Sequence, residues 1–373
     1  MKIAINTRHL LPHRLDGMGW FTLEIFKRIA LQHPEVEFHF IFDRKFHEEF
    51  IFSENIIPHV IGPQARHPYL MRVWYDWSIK RLLKKIQPDL FISPDAQLSL
   101  TTSIPQLVVI HDINFEHYPK DIPAVYTRDL KRRTPKFAQK ANRIVTVSEF
   151  SKQDIIDHYG VSSDKIGVVN NGANEVYQPL SDQEKIVAKQ QFTAGSEYFI
   201  FISSIHPRKN LQRILPAFFE FKKQSKSDVK MLVVGNIFWQ DDALKAAIEK
   251  GKSSGDVVMA GRLNPDELRL ALGGALANIY TSYFEGFGIP VVEAFQAGVP
   301  VVTSNVTSLP EIAGDAALQV DPFSVNEITQ AMLEIFNNLE LRKQLISKGF
   351  ERSKQFTWQI AADKMWQEIN KSL

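Results

Sequence analysis

The chain has 373 residues, with 44 Lys and Arg against 42 Asp and Glu, a formal net charge of +2 at pH 7. That near balance removes any general case for a nucleic-acid partner, because binding a phosphate backbone at cellular salt needs a clear cationic excess. Without cysteine there are no disulfides and no thiolate metal sites, while 44% hydrophobic residues suffice for two ordinary domains.

The opening KIAIN runs into Asn6, Arg8 and His9 rather than a sustained apolar stretch, so it reads as a strand and not as a secretory signal. No run of 18 apolar residues follows, and the default expectation is a soluble, cytoplasmic protein. Strand-like runs recur at 2–6, 36–42, 89–93, 106–110 and 143–147, separated by stretches such as 20–33 and 152–159 that carry apolar residues at helical spacing. This βα alternation predicts parallel strands covered on both faces. A second series follows at 198–203, 229–235, 256–261, 277–282 and 299–304.

Between the two series, residues 170–185 are polar, contain Gly172 and Pro179, and show neither period. The predicted domains are therefore 1–178 and 179–355, with a terminal helix, 356–373, anchored by Phe356, Trp358 and Trp366 and packing back on the first domain. The fold class is α/β, two Rossmann-like domains facing across a cleft. Ligands of such sheets bind beyond the carboxyl ends of the strands.

Several loops carry residue types suited to a phosphorylated ligand. Asp16-Gly17-Met18-Gly19-Trp20 is a glycine turn before a helix, lacking the third glycine of a dinucleotide fingerprint. Residues 108–119, VVIHDINFEHYP, place His111 and Asp112 just after a strand. Ser148 reads as a helix cap. Residues 202–210, ISSIHPRKN, place Arg208 and Lys209 after the first strand of the second domain. Gly261 ends a later strand.

The segment 280–314 holds Glu285 and Glu293, eight residues apart, around Gly286, Phe287, Gly288, Ile289 and Pro290. Glycines there free the loop, proline suits a first helical turn, and the unpaired amides of a helix start attract an anion. Glu293 would fall in that first turn. Read alone, it could simply complement the helix dipole.

SYFEGFGIPVVEAFQAGVPVVTSNVTSLPEIAG resembles the donor-binding segment of family 4 of the retaining glycosyltransferases, which have the two-Rossmann GT-B fold. The glycine loop, the His-Asp strand end, TVSEFSKQDI, VVNNGAN and the Arg-Lys segment extend the similarity over nearly the whole chain. The resemblance implies that Gly17 and Gly19 approach the donor phosphates and the acceptor, and that His111 lies beside the transferred sugar. Arg208 and Lys209 would clamp the diphosphate and Gly261 would lie near the base. Glu285 would bind hydroxyls of the sugar, and Glu293 those of the ribose. One departure is Ser204, where a common version of the family has arginine; Arg208 would substitute.

The implied reaction is transfer of a hexose from a nucleoside-diphosphate sugar, GDP-mannose or a UDP-hexose, to a saccharide or lipid-linked acceptor, as in cell-surface polysaccharide or glycolipid synthesis. Neither a cofactor nor a metal is expected, since none of the 20 aspartates has another two residues away; Pro12 also breaks the helical face that a His9/His13 zinc pair would need. Rival readings are an epimerase or phosphorylase on the same scaffold, and a non-catalytic sugar-nucleotide binder. Residues 66–85 hold six Lys/Arg and one acid, with Tyr69, Leu70, Val73, Trp74 and Trp77 at helical spacing; residues 128–143 hold seven and one. The expectation is a core-facing aromatic stripe with a solvated basic back. The alternative is a face for the inner surface of an anionic membrane, which would suit a lipid-linked acceptor.

Overall fold

The computed structural model describes residues 1–12, 15–239 and 241–373, so His13 of the histidine pair lies outside the described residues. The chain divides into two compact units, Met1–Gly172 with Trp358–Leu373, and Ala173–Thr357.

The first unit is a seven-stranded parallel sheet of β1 (Lys2–Asn6), β2 (Glu37–Phe42), β3 (Ile56–Val60), β4 (Leu90–Ser93), β5 (Gln106–Val109), β6 (Arg143–Thr146) and β7 (Ile166–Val168), in the order β3-β2-β1-β4-β5-β6-β7. The second is a six-stranded parallel sheet of β8 (Tyr198–Ile202), β9 (Lys230–Val234), β10 (Val257–Gly261), β11 (Ala277–Tyr280), β12 (Val301–Ser304) and β13 (Leu318–Val320), in the order β10-β9-β8-β11-β12-β13. Each winds outward from its first strand and then reverses, giving two Rossmann-like halves with a switch point between β1 and β4 and another between β8 and β11.

Three strands escape the periodicity of the sequence, β3, β7 and β13, and all three are sheet edges. β3 includes Pro58, which lacks the donor a central strand needs, and β7 and β13 have three residues each. Such strands do not show the continuous apolar run of a strand buried on both faces.

The core of the second unit packs Phe199, Phe201 and Met231 of the sheet against Ile214, Phe218 and Phe221 of the Leu211–Ser225 helix. In the first, Ala4, Phe91 and Val108 pack with Trp74, Tyr75, Ile79, Leu83 and Phe137. Here the expected stripe over 69–77 divides. Trp74 is fully buried, but Tyr69 and Trp77 are 67% and 76% exposed, and Tyr75 is buried in their place. For Trp77 the cause is a π-helical turn, Trp74–Ile79, between the Pro68–Val73 and Lys80–Ile86 helices; Tyr69 lies ahead of it in the first of these helices. The wider π turn rotates the side chains out of 3.6-residue phase.

The first domain boundary lies at Gly172 rather than Gln178. Residues just after it already belong to the second unit: the Ala173 amide donates to the Phe356 carbonyl, and Tyr177 and Leu180 are buried. The carboxyl-terminal helix, Trp358–Asn370, returns to the first unit, where Trp366 stacks on His33 at 3.7 Å and Glu368 pairs with Arg143. Gly167 of β7 admits that carboxylate, since a β-carbon there would stand 2.3 Å from Glu368. Phe356 stays with the second unit, edge-on to Phe287 at 5.5 Å. Among the described residues no helix is long and apolar enough to cross a membrane.

Candidate functional site

In the second unit the loops after β8 and β11 meet at the switch point. The turn Pro207–Lys209 follows β8, and residues 281–288 follow β11. Arg208 donates to a Glu285 carboxylate oxygen at 2.6 Å and to the Phe284 carbonyl at 2.9 Å. Lys209 Nζ lies 2.5 Å from the other Glu285 oxygen and 2.8 Å from the Tyr280 hydroxyl, which itself donates to Glu285 at 2.9 Å. Burial opposes the charge of Glu285, yet the two cations outweigh it and hold its carboxyl at about 2. Burial and the adjacent carboxylate raise Tyr280, which stays a protonated phenol.

The residues expected to clamp a diphosphate and the one expected to bind the sugar are therefore bonded to each other. The cluster of two cations and one anion carries a net +1. A ligand diphosphate would compete with Glu285 for Arg208 and Lys209. Ser204, at the arginine position of the family pattern, is exposed just past β8.

The glycine loop beside this cluster is tightly fixed. Gly288 is the cap residue of the Ile289–Gln296 helix, with φ of +104°, and a β-carbon there would stand 2.6 Å from Leu309. Both features demand glycine. The Ser308 hydroxyl donates to the Glu285 and Phe287 carbonyls, at 2.9 and 3.2 Å, and the Glu285 amide donates to Thr307 at 3.3 Å. Gly286 is buried, and the Phe287 ring packs edge-on against Phe356. Pro290 follows Ile289 in the first turn.

Glu293 is the fifth residue of that helix, just past its first turn. It is partly buried, and desolvation pushes its carboxyl up to about 7. Burial and the charge of Glu293 together raise the phenol of Tyr177. Gly261 ends β10 with φ of +66°, beyond a register shift in its pairing with β9, and a β-carbon there would meet nothing within 4 Å. The exposed Arg262 follows it.

In the first unit, Gly17 and Gly19 open the Gly17–Gln32 helix, capped by Asp16, whose carboxylate accepts from the Gly19 amide at 2.9 Å. A β-carbon on Gly19 would stand 3.0 Å from the His9 carbonyl, whereas Gly17 faces open space. His111 follows β5, meets Phe21 of this helix edge-on at 5.0 Å, and its Nε2 donates to the Pro94 carbonyl at 2.9 Å. Burial lowers its basicity, so the ring is neutral at pH 7 with Nδ1 as its acceptor nitrogen. Asp112 caps the next turn through the Asn114 amide at 3.1 Å, and the Ser148 hydroxyl caps the Glu149–Tyr159 helix.

Sequence reasoning missed a buried network at the first unit's own switch point. Asp95 accepts from Arg8, from the Tyr75 hydroxyl and from Ser93, both of the latter at 2.8 Å; His9 Nε2 stands 3.5 Å away. Burial works against the carboxylate, but Arg8 holds it far below the usual range. Arg8 and Asp95 each lie two residues past an apolar strand, the signal that could have flagged them. Tyr280 had a weaker one, a phenol at the end of a buried strand, and Ser308 only its place just before the Leu309–Ala313 helix.

Two family models match the chain: Glycosyltransferase Family 4 over residues 15–176 and Glycosyl transferases group 1 over residues 182–352, together most of its length. O-antigen chain mannosyltransferase B of Escherichia coli is 27% identical, aligned over 96% of this chain and 97% of that one. O-antigen chain mannosyltransferase RfbU of Salmonella typhimurium is 26% identical over 80% and 84%. Among solved structures, Anabaena Alr3699/HepE in complex with UDP and glucose superposes with a TM-score of 0.77 at 17% identity, covering 99% of both chains. With two doubly wound sheets and paired family models, the chain belongs to family 4 of the glycosyltransferases and is a glycosyltransferase of the GT-B fold.

Proposed function

We propose that this chain is a retaining mannosyltransferase that moves mannose from GDP-mannose to a saccharide or lipid-linked hydroxyl in surface-polysaccharide assembly, without a metal at the diphosphate. The observation carrying this reading is the Arg208–Glu285–Lys209 cluster at the second switch point. A departing nucleoside diphosphate gains negative charge as the glycosidic bond breaks, and fixed cations beside a helix start offset that charge. The guanidinium of Arg208 shares one carboxylate with Lys209, which supports Arg208 as the substitute for the arginine absent at Ser204.

Glu285, displaced from the cations by the arriving diphosphate, would turn to the sugar hydroxyls and orient the ring. Glu293 would accept from the ribose, and Gly261 would lie at the base. His111, neutral, would border the sugar, with Gly17 and Gly19 toward donor and acceptor. Departure and attack occur on one face: the C1–oxygen bond to the diphosphate breaks, the acceptor oxygen bonds to C1, and a diphosphate oxygen takes the acceptor's proton. Mannose is preferred over a UDP-hexose because the two relatives above are named mannosyltransferases.

Association with an anionic membrane face is part of the proposal. Trp77 and Tyr69 are exposed large aromatics in a segment whose Lys80, Arg81, Lys84 and Lys85 are all exposed, and such a surface suits a lipid headgroup layer.

The test is a thermal-shift panel of GDP, UDP and their sugars, with and without EDTA, followed by NMR of the product formed from labelled donor. GDP-mannose should raise the melting temperature most, and EDTA should not change the size of that ligand-induced rise. An inverted anomeric centre, or no transfer with any sugar nucleotide that binds, would reject the reading in favour of an inverting enzyme or a binding protein.

A further inference from the structure

A side-chain cluster in the first unit uses none of the residues assigned to the donor. Asp154 and His158 are four apart on the Glu149–Tyr159 helix and so share one of its faces. His117 ends the short Asn114–His117 turn that follows the His111 loop. His117 Nε2 lies 2.8 and 3.0 Å from the two Asp154 carboxylate oxygens, and His158 Nδ1 lies 3.1 Å from the first of them. All three donor atoms fall within 4.8 Å of one another. Asp154 is buried, whereas about a third of each imidazole faces solvent, 32% for His117 and 36% for His158.

We propose that His117, Asp154 and His158 bind a transition-metal dication of the zinc type. Two imidazole nitrogens and one carboxylate oxygen are a donor set for Zn²⁺ or Co²⁺ rather than for Mg²⁺ or Ca²⁺, which take oxygen shells. Donors at about 2.0–2.2 Å from one tetrahedral ion stand about 3.3–3.6 Å apart. The two gaps to Asp154 are slightly shorter than that, so modest torsional changes in the two partly exposed imidazoles make room for the ion. Their solvent-facing side leaves a position for water as a fourth ligand.

The site would have a structural consequence. Ser151, on the same helix, already donates to the His111 carbonyl at 3.3 Å. A metal at His117 would tie the segment after β5 to this helix at a second point and restrict the loop that carries His111. The competing arrangement is a metal-free His–Asp–His hydrogen-bonded group, in which His158 Nδ1 donates to the Asp154 carbonyl at 3.0 Å.

The test uses the full chain, stripped of metal and titrated with CoCl₂ while its visible d–d absorption is followed, and with ZnCl₂ while its melting is followed. One equivalent of Co²⁺ is expected to give a saturable low-symmetry band, and Zn²⁺ is expected to raise the melting temperature. His158→Ala and Asp154→Asn should each weaken Co²⁺ binding by about tenfold or more. His158 is exposed, so its variant should melt near the parent without metal, which keeps the test informative if Asp154→Asn unfolds. A saturable band that survives His158→Ala would place the ion elsewhere, for example between His39 of β2 and His59 of β3, whose Nδ1 and Nε2 lie 2.8 Å apart. No saturable band would leave the hydrogen-bonded group as the correct description. Either result overturns the proposal, and neither bears on donor binding in the second unit.

Discussion

Replacing Glu285 by Gln separates the two roles proposed for the Arg208–Glu285–Lys209 cluster. The carboxylate faces Arg208 at 2.6 Å and Lys209 at 2.5 Å, so the ligand-free site holds two positive charges and one negative. Glutamine keeps the shape and removes the anion, leaving +2 where a diphosphate would bind. At an effective dielectric of about 20, removing one negative charge about 6–10 Å from a phosphate is worth about 1.5–3 kcal/mol. The nucleoside diphosphate should therefore bind roughly 10- to 100-fold more tightly to Glu285→Gln, while the uncharged nucleoside binds as before. Turnover should fall by about 100-fold or more, because the group proposed to orient the sugar is gone.

The same substitution should lower stability. A carboxyl held at about 2 rather than 4.5 contributes about 3 kcal/mol at neutral pH. Its folded value is depressed, so that contribution is present above about pH 4.5 and disappears as the pH falls toward 2. The gap between parent and variant in urea melts should close over that window. Isothermal titration calorimetry with nucleoside and nucleoside diphosphate reads the binding half. Equal or weaker diphosphate binding by a folded Glu285→Gln would refute Arg208 and Lys209 as the phosphate partners.

Three further outcomes are expected. Glu293 has a raised carboxyl, so its ionisation destabilises the fold as pH climbs from 4.5 through 7; Glu293→Gln should be more stable than the parent at pH 8 by about 1–3 kcal/mol, yet bind nucleoside diphosphate more weakly, and unchanged affinity in calorimetry would remove the ribose contact. Gly288→Ala forces a side chain into φ of +104° and against Leu309 at 2.6 Å; a loss of about 2 kcal/mol or more in denaturant melts is expected, and a melt matching the parent would show that the loop has slack. Trp77→Ser, a change at a 76% exposed ring, should leave melting unchanged and reduce flotation with anionic vesicles, whereas equal flotation would dismiss this face as a membrane contact.

The edge strands show where local pattern stops being informative. β1, β5 and β8 are buried on both faces, so their apolar runs announce them and predict a parallel sheet. β3, β7 and β13 pair on one side only and tolerate Pro58, Gly167 and Gln319. The aromatic stripe at 69–77 failed at Trp77 for another local reason. A π turn is an insertion into the helical phase, and phase arithmetic assumes that no such insertion is present.

The sequence by itself determined the two βα series, the glycine-containing loop before a helix at 286–290, and the family to which the chain belongs, because strand burial, backbone freedom and motif spacing are properties of short segments. Only the tertiary structure decided that Glu285 is bonded to Arg208 and Lys209, 77 and 76 residues earlier, and that Asp95 gathers Arg8 and Tyr75. Charge partners are chosen by which strand ends lie side by side. That choice is made where the strand order reverses, between β1 and β4 and between β8 and β11, and no spacing along the chain encodes it.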